Sequence, residues 1–269
     1  MIKMIVSDLD GTLLDHSRRM NDRDRAAVAA AIQEGYELCI ASGRMYSEIR
    51  IVMEPFNDCY HVIGQNGATV HRKGGKFMAS TDFEPETACR ILETTRGSDF
   101  VNFVHCTDDS YYIKERNEKS LPFESRILTP CSVRADMEQA LRADELRCCK
   151  IVYFGELDRL FRLKDELLER FEGRIEAFIS DKDCLDVMPV NVSKGAGLSL
   201  FMNELGLRPH EVACIGDSFN DLSMFAATEH SFAMSGSHPD IQKQATEVVD
   251  SVAEAVERIA AYNRSCVGG

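Results

Sequence analysis

No CxxC pair occurs among the ten cysteines, and none of their spacings suggests a zinc site. They are scattered, with Cys148-Cys149 as the one adjacent pair, and Cys39 and Cys214 fall inside apolar, strand-like runs. A thiol there behaves as a small hydrophobe. Reduced core thiols in a cytoplasmic protein are therefore expected, not a disulfide framework. No run of about 18 apolar residues exists, so no transmembrane helix is expected. The opening MIKMIVSDLDG lacks a long apolar core and reaches acidic residues at once, unlike a signal peptide. Basic residues are outnumbered: 31 Lys and Arg stand against 44 Asp and Glu, a formal charge of −13. That balance argues against a general affinity for nucleic acid or anionic membranes. Any anion site must be made locally, from amides, a lysine or a metal. The seven histidines, at 16, 61, 71, 105, 210, 230 and 238, show no ligand spacing. Internal repeats and low-complexity segments are absent from the sequence.

What is present is an alternation. Ile2–Ser7 is strand-like, and Asn21–Glu34 is an alanine-rich helix candidate opened by an Asn that can cap it. Tyr36–Ala41 reads as a strand, Met45–Met53 as a helix and His61–Ile63 as a short strand. The last third repeats the pattern: helix 194–204, strand 212–215, helix 219–226, strand 231–234 and a final amphipathic helix over 252–261. Such alternation implies a parallel sheet with helices on both faces. The middle differs. A hairpin-like run over 69–80 turns at Lys73-Gly74-Gly75. Beyond it come a helix over 85–95, paired strands around Thr107–Ser110, and a strand over 150–154. An amphipathic helix follows, with Leu157, Leu160, Phe161, Leu167, Leu168 and Phe171 on one face. Two more strands, 176–179 and 184–188, close the segment. The reading is a doubly wound α/β domain from residues 1–82 and 188–269, interrupted by an α+β insertion over 83–187.

Four constellations sit at strand or helix ends, where ligands of open α/β sheets gather. They are Asp8-Leu9-Asp10-Gly11-Thr12, Ser42-Gly43-Arg44, Ser193-Lys194-Gly195 and Gly216-Asp217-Ser218-Phe219-Asn220-Asp221. Two carboxylates two residues apart at the end of a buried strand repel each other, so a positive charge belongs beside them or one works as an acid. Phosphoryl transfer through an aspartyl-phosphate needs this set. A carboxylate attacks a phosphorus whose charge is neutralised. Magnesium, a hard cation taking few carboxylates, suits Asp8 and Asp217. Lys194 and Ser42, with amides near Leu9 and Gly43, would hold the remaining phosphoryl oxygens. Asp10 would protonate the leaving alkoxide and later activate water.

The strings DLDGTLLD, ASGR, VSKG and GDSFNDLSMF, in this order, resemble the four motifs of the haloacid dehalogenase superfamily of phosphohydrolases. Within it the likeness is to the Cof-type sugar-phosphatase-like family, and it extends to GQNGA at 64–68 and HSFAMSGSHPDIQKQATEVVDSV at 230–252. The resemblance implies a Rossmann-like core with an α+β cap of type C2 in the 83–187 insertion. It implies Asp8 as nucleophile, Asp10 as general acid/base, and magnesium on Asp8, the Asp10 carbonyl and Asp217. Phosphate contacts would come from Leu9, Thr12, Ser42, Gly43, Lys194 and Asn220, with Asp221, Arg44 and Asn66 supporting or facing the substrate. Asn191 departs from the family pattern, where many relatives place glycine, but Asn tolerates a left-handed backbone. The expected activity is magnesium-dependent hydrolysis of a small phosphorylated metabolite, a sugar phosphate or cofactor phosphate, by a monomer. A phosphotransferase or mutase on the same fold, or a non-catalytic phosphate-binding regulator, are the alternatives.

Overall fold

A computed structural model describes residues 1–15 and 17–267. His16, read above without a ligand role, lies outside the described residues. The chain forms two compact units: Met1–Arg44 with Val52–Ala79 and the segment from Ser193 onward, and Met45–Ile51 with Ser80–Val192. Against the expected bounds of 83 and 187, the second unit begins at Ser80, runs to Val192 and takes in Met45–Ile51.

The first unit is the expected α/β core. Its eight-stranded sheet runs Glu247–Val249, His230–Met234, Val212–Gly216, Met4–Ser7, Glu37–Ala41, His61–Gly64, Thr69–Arg72 and Lys76–Ser80. The first six strands are parallel, and Thr69–Arg72 pairs antiparallel with His61–Gly64. Met4–Ser7 is buried along its whole length because both faces carry helices, which is why it reads as an unbroken apolar run. On one face the helix Lys194–Leu205 sends Leu198, Phe201 and Met202 against Met4, Val6, Ile63 and Cys214. On the other, Asp22–Gln33 packs with Val252–Val267, and the buried Asp24 Oδ1 accepts from the Ala253 amide at 2.7 Å. Asn21 caps the first of these helices as expected, accepting from the Asp24 amide. Strand order reverses between Met4–Ser7 and Val212–Gly216, so the crevice beyond their carboxyl ends is the place where such folds bind ligands.

The second unit is a six-stranded sheet in the order Ile175–Asp181, Cys184–Pro189, Cys148–Phe154, Val101–Cys106, Tyr111–Ile113 and Cys131–Val133. Alternate strand residues serve two faces. Val104, Ile151, Tyr153, Leu185 and Val187 meet the helices Pro85–Thr94, Met137–Arg142 and Leu157–Arg170. Val101, Phe103, Val152 and Phe154 form the opposite cluster with Phe123 and Ile127. One sequence expectation fails here. Phe161 is exposed, and Leu163 takes its place beside Leu160 and Leu167, because the helix buries a narrower stripe than its apolar content suggested. Helix 252–261 extends to Val267, and helix 219–226 is a 3-10 turn followed by a single short helix, Leu222–Phe225.

Seven cysteines are buried, and no disulfide joins described residues. Burial pushes the Cys214 thiol up to about 12, an inert state. Among the described residues no helix is long and apolar enough to cross a membrane.

Candidate active site

Three adjacent parallel strands deliver the acidic and hydroxyl groups to one edge. Asp8 follows Ser7, Ser42 follows Ala41, and Asp217 follows Gly216. The chain past Asp8 turns back at once: the Leu14 amide donates to the Leu9 carbonyl and the Gly11 amide to the Leu14 carbonyl. Gly11 has φ +91°, and a Cβ there would stand 2.5 Å from Asp217 Oδ2. Only glycine allows this turn to close on the Asp217 carboxylate.

Lys194 enters from the first turn of its helix, which Ser193 caps through its hydroxyl. Its Nζ lies 2.6 Å from Asp8 Oδ1 and 2.6 Å from Asp221 Oδ1, and the side chain is 1% exposed. Burial pulls the ammonium down, but the two carboxylates outweigh it and raise it above its ordinary value. Asp8 moves up as well. Burial is the main cause, Lys194 opposes it, and Asp221 and Asp217 add to it. Asp217 is raised by burial and by Asp221. The two directions fit together: one ammonium serves three neighbouring carboxylates, so it stays charged while the unbalanced negative charge falls on Asp8 and Asp217.

Asp221 is a positioning group. Its Oδ1 faces Lys194, and its Oδ2 accepts from the Asp217 and Ser218 amides at 2.9 Å each. Thr12 donates to Asp217 Oδ1 at 3.0 Å, so the hydroxyl assigned to phosphate from the sequence orients a carboxylate. Arg44 holds Asp10 with a two-pronged ion pair, Nε to Oδ2 and Nη2 to Oδ1, both 2.7 Å. Ser42 is buried; its hydroxyl accepts from the Arg44 amide and its carbonyl from the Asn66 amide. Asn66 sits in the left-handed region, φ 56°, and its Oδ1 accepts from Asn220 Nδ2 at 3.1 Å. Asn191 is left-handed too, φ 65°, a backbone conformation that Asn tolerates. The structure thus gathers Asp8, Asp10, Thr12, Ser42, Gly43, Arg44, Asn66, Lys194, Asp217, Asn220 and Asp221 into one linked set.

Sequence reasoning missed Ser223, whose hydroxyl accepts from the Gly195 amide and donates to the Asn220 carbonyl, tying the lysine helix to the acidic loop. Nothing in its spacing marks it. Gly67 was visible only as part of GQNGA. With φ +105°, a Cβ there would meet the Ser193 carbonyl oxygen at 2.1 Å. Gly67→Ala is expected to cost about 1–3 kcal/mol by overpacking against backbone and to displace the residue that precedes Lys194. Thermal melting and turnover measured together check this; an unchanged melting temperature would refute it.

The donor set fits a hard divalent cation. Oxygens of Asp8, Asp217 and Asp221 lie within 4.8 Å of one another. Asp8 Oδ2 is buried with no hydrogen-bond donor among the described residues. Four carboxylates, Asp8, Asp10, Asp217 and Asp221, stand against two cations, Lys194 and Arg44. Oxygen-only ligands with excess negative charge suit magnesium.

The sequence profile of a family described as haloacid dehalogenase-like hydrolase matches residues 5–258. A curated relative from Enterobacter sp. (strain 638), named HMP-PP phosphatase, is 25% identical over 241 residues, 90% of this chain and 87% of the relative. A Serratia proteamaculans (strain 568) protein of the same name is 24% identical over 242 residues, with the same shares covered. Among solved structures, the Thermotoga maritima protein TM0651 superposes with a TM-score of 0.86 at 26% identity, covering 96% of this chain and 97% of that one. A haloacid dehalogenase-like hydrolase from Bacteroides thetaiotaomicron gives 0.86 at 25% identity, covering 96% and 100%.

Proposed function

Because the chain belongs to the haloacid dehalogenase-like hydrolase family, we propose that it is a magnesium-dependent phosphatase acting on a small phosphorylated metabolite through an aspartyl-phosphate on Asp8. The observation that carries this reading is the Asp8 carboxylate itself, with Oδ1 on a buried lysine and Oδ2 buried beside Asp217 with no hydrogen-bond donor among the described residues. Asp8 attacks phosphorus while the bond to the leaving oxygen breaks, and Asp10 gives that oxygen a proton. Asp10 then takes a proton from the water that cleaves the acyl phosphate, the two roles a single acid–base group can play. Lys194, Ser42, Asn220 and the amides near Leu9 and Gly43 would hold the transferring oxygens. Asp8, Asp217 and the Asp10 carbonyl would hold magnesium, which supplies neutralisation of phosphoryl charge. Asp221 and Thr12 orient Asp217, and Asn66 steadies Asn220. The relatives named HMP-PP phosphatase support a small phosphorylated metabolite as substrate, and the insertion is assigned as the family's cap. Retention of Asp8, Asp10 and Lys194 disfavours a binding-only regulator, and Asp10, able to activate water, disfavours a mutase.

The test is release of inorganic phosphate from p-nitrophenyl phosphate and from a panel of phosphorylated metabolites. Steady release supports hydrolysis, while release only with an added acceptor would make the protein a transferase. Metal removal gives a further expectation. Dialysis against EDTA should abolish turnover and magnesium should restore it, since burial, with Asp221 and Asp217 alongside, raises the Asp8 carboxyl against the opposing pull of Lys194, and a bound cation would favour the carboxylate that attacks. Full turnover in excess EDTA would sink the mechanism.

A further inference from the structure

The Arg44–Asp10 pair poses a problem for the chemistry just described. Both oxygens of the Asp10 carboxylate are engaged by the guanidinium fork, at 2.7 Å each. In that geometry the fork takes one acceptor site on each oxygen and fixes the orientation of the carboxylate on the arginine. A bidentate Arg–carboxylate pair is among the more directional ion pairs, and the same fork fits two phosphoryl oxygens equally well.

The pair is unevenly buried. The Asp10 side chain is 47% exposed while that of Arg44 is 13% exposed. On the Asp10 side solvent screens the pair, so its hold on the guanidinium is open to competition from a more highly charged anion. Arg44 is fixed from behind: its amide donates to Ser42 Oγ, and the Gln65 amide donates to its carbonyl. Of the two cations against these carboxylates, Lys194 is locked between Asp8 and Asp221. Arg44 is the one whose partner faces solvent.

Resting on the phosphatase reading above, we propose that Arg44 exchanges partners during each turnover. Between turnovers it holds the Asp10 carboxylate; when a phosphoryl group arrives, the fork passes to the incoming oxygens and Asp10 is released to face the reacting oxygens. No covalent bond changes in this step. Two hydrogen bonds to a carboxylate are replaced by two to a phosphoryl group, which carries more negative charge. The exchange makes Asp10 available only when substrate is present, so the acid–base group is tied to occupancy of the site. Asp10 and the phosphoryl group are then competitors for one arginine, and that competition can be measured.

The test is a double-mutant cycle on binding of inorganic phosphate in saturating magnesium, read by calorimetry with Asp10→Asn, Arg44→Gln and the double variant. Asp10→Asn removes the competitor and should tighten phosphate about 10-fold when Arg44 is present. In the Arg44→Gln background the same substitution should change affinity by less than about 3-fold, leaving only the loss of one negative charge. Equal tightening in both backgrounds, or weaker phosphate binding by Asp10→Asn alone, would overturn the exchange. Arg44→Lys, which keeps the charge without the fork, replaces Arg44→Gln in the cycle if the latter does not fold. Wild-type turnover of p-nitrophenyl phosphate in the same preparation decides the parent reading separately. A working enzyme whose cycle shows no coupling loses the exchange and nothing else.

Discussion

Asp8→Asn is expected to lower turnover at least about 10⁴-fold, toward the roughly 10⁶-fold that removing a catalytic nucleophile costs in a serine protease. An amide cannot replace the attacking carboxylate oxygen, and no second carboxylate is placed to substitute. Asp221 has both oxygens bonded to Lys194 and the 217–218 amides, Asp217 is held by Thr12, and Asp10 serves as the acid–base group in the reading above. The fold should survive, because Asn keeps one oxygen for Lys194 and removes a negative charge from a cluster that has too many. A melting temperature equal to or above that of the wild type is therefore expected beside the lost activity. The direct measurement is rapid acid quench with a radiolabelled substrate, followed by peptide mapping. Label should appear on the Asp8 peptide of the wild type and be missing from Asp8→Asn. Label retained in that variant, or mapped to Asp10, would reverse the roles of the two aspartates.

The parts of this site legible in the sequence are those fixed by local chain geometry. Apolar Met4–Val6 followed by Asp8 marks the end of a buried strand, and the structure keeps that strand buried on both faces. Asn21 caps its helix as its side chain allows, and the two glycines after Lys73 make the expected turn. What the sequence hides is set by partners distant in the chain. Thr12 meets Asp217 across 205 residues, and Arg44 meets Asp10 across 34, so a hydroxyl read as a phosphate contact orients a carboxylate. The strands Cys131–Val133 and Glu247–Val249 and the helices Leu121–Glu124 and Met137–Arg142 also escape the sequence reading. Each spans six residues or fewer, too short for periodicity to rise above composition.

Lys194 carries the other large effect, and its substitution tests charge balance and chemistry at once. Lys194→Met keeps the length of the side chain and removes the ammonium between Asp8 and Asp221, both buried. Breaking a buried pair from one side costs about 3–5 kcal/mol, a large share of the roughly 5–15 kcal/mol that holds an ordinary domain together. Loss of activity alone would then say nothing about catalysis. Asp221→Asn offers a clean second step. Both main-chain amides bond to the same oxygen, Asp221 Oδ2, while Oδ1 faces only the lysine. An asparagine can present its carbonyl oxygen to the amides and its NH₂ toward the former lysine site, so it removes one surplus charge and keeps the loop. The double variant Lys194→Met/Asp221→Asn should melt well above Lys194→Met. Its turnover should stay at least about 100-fold below wild type, because a preorganised cation aimed at the transferring group is worth that much in a low-dielectric site. Calorimetry and p-nitrophenyl phosphate turnover on the same samples separate the two effects. If the double variant regains turnover along with stability, the lysine serves only to balance buried charge, and its role at the phosphoryl group falls.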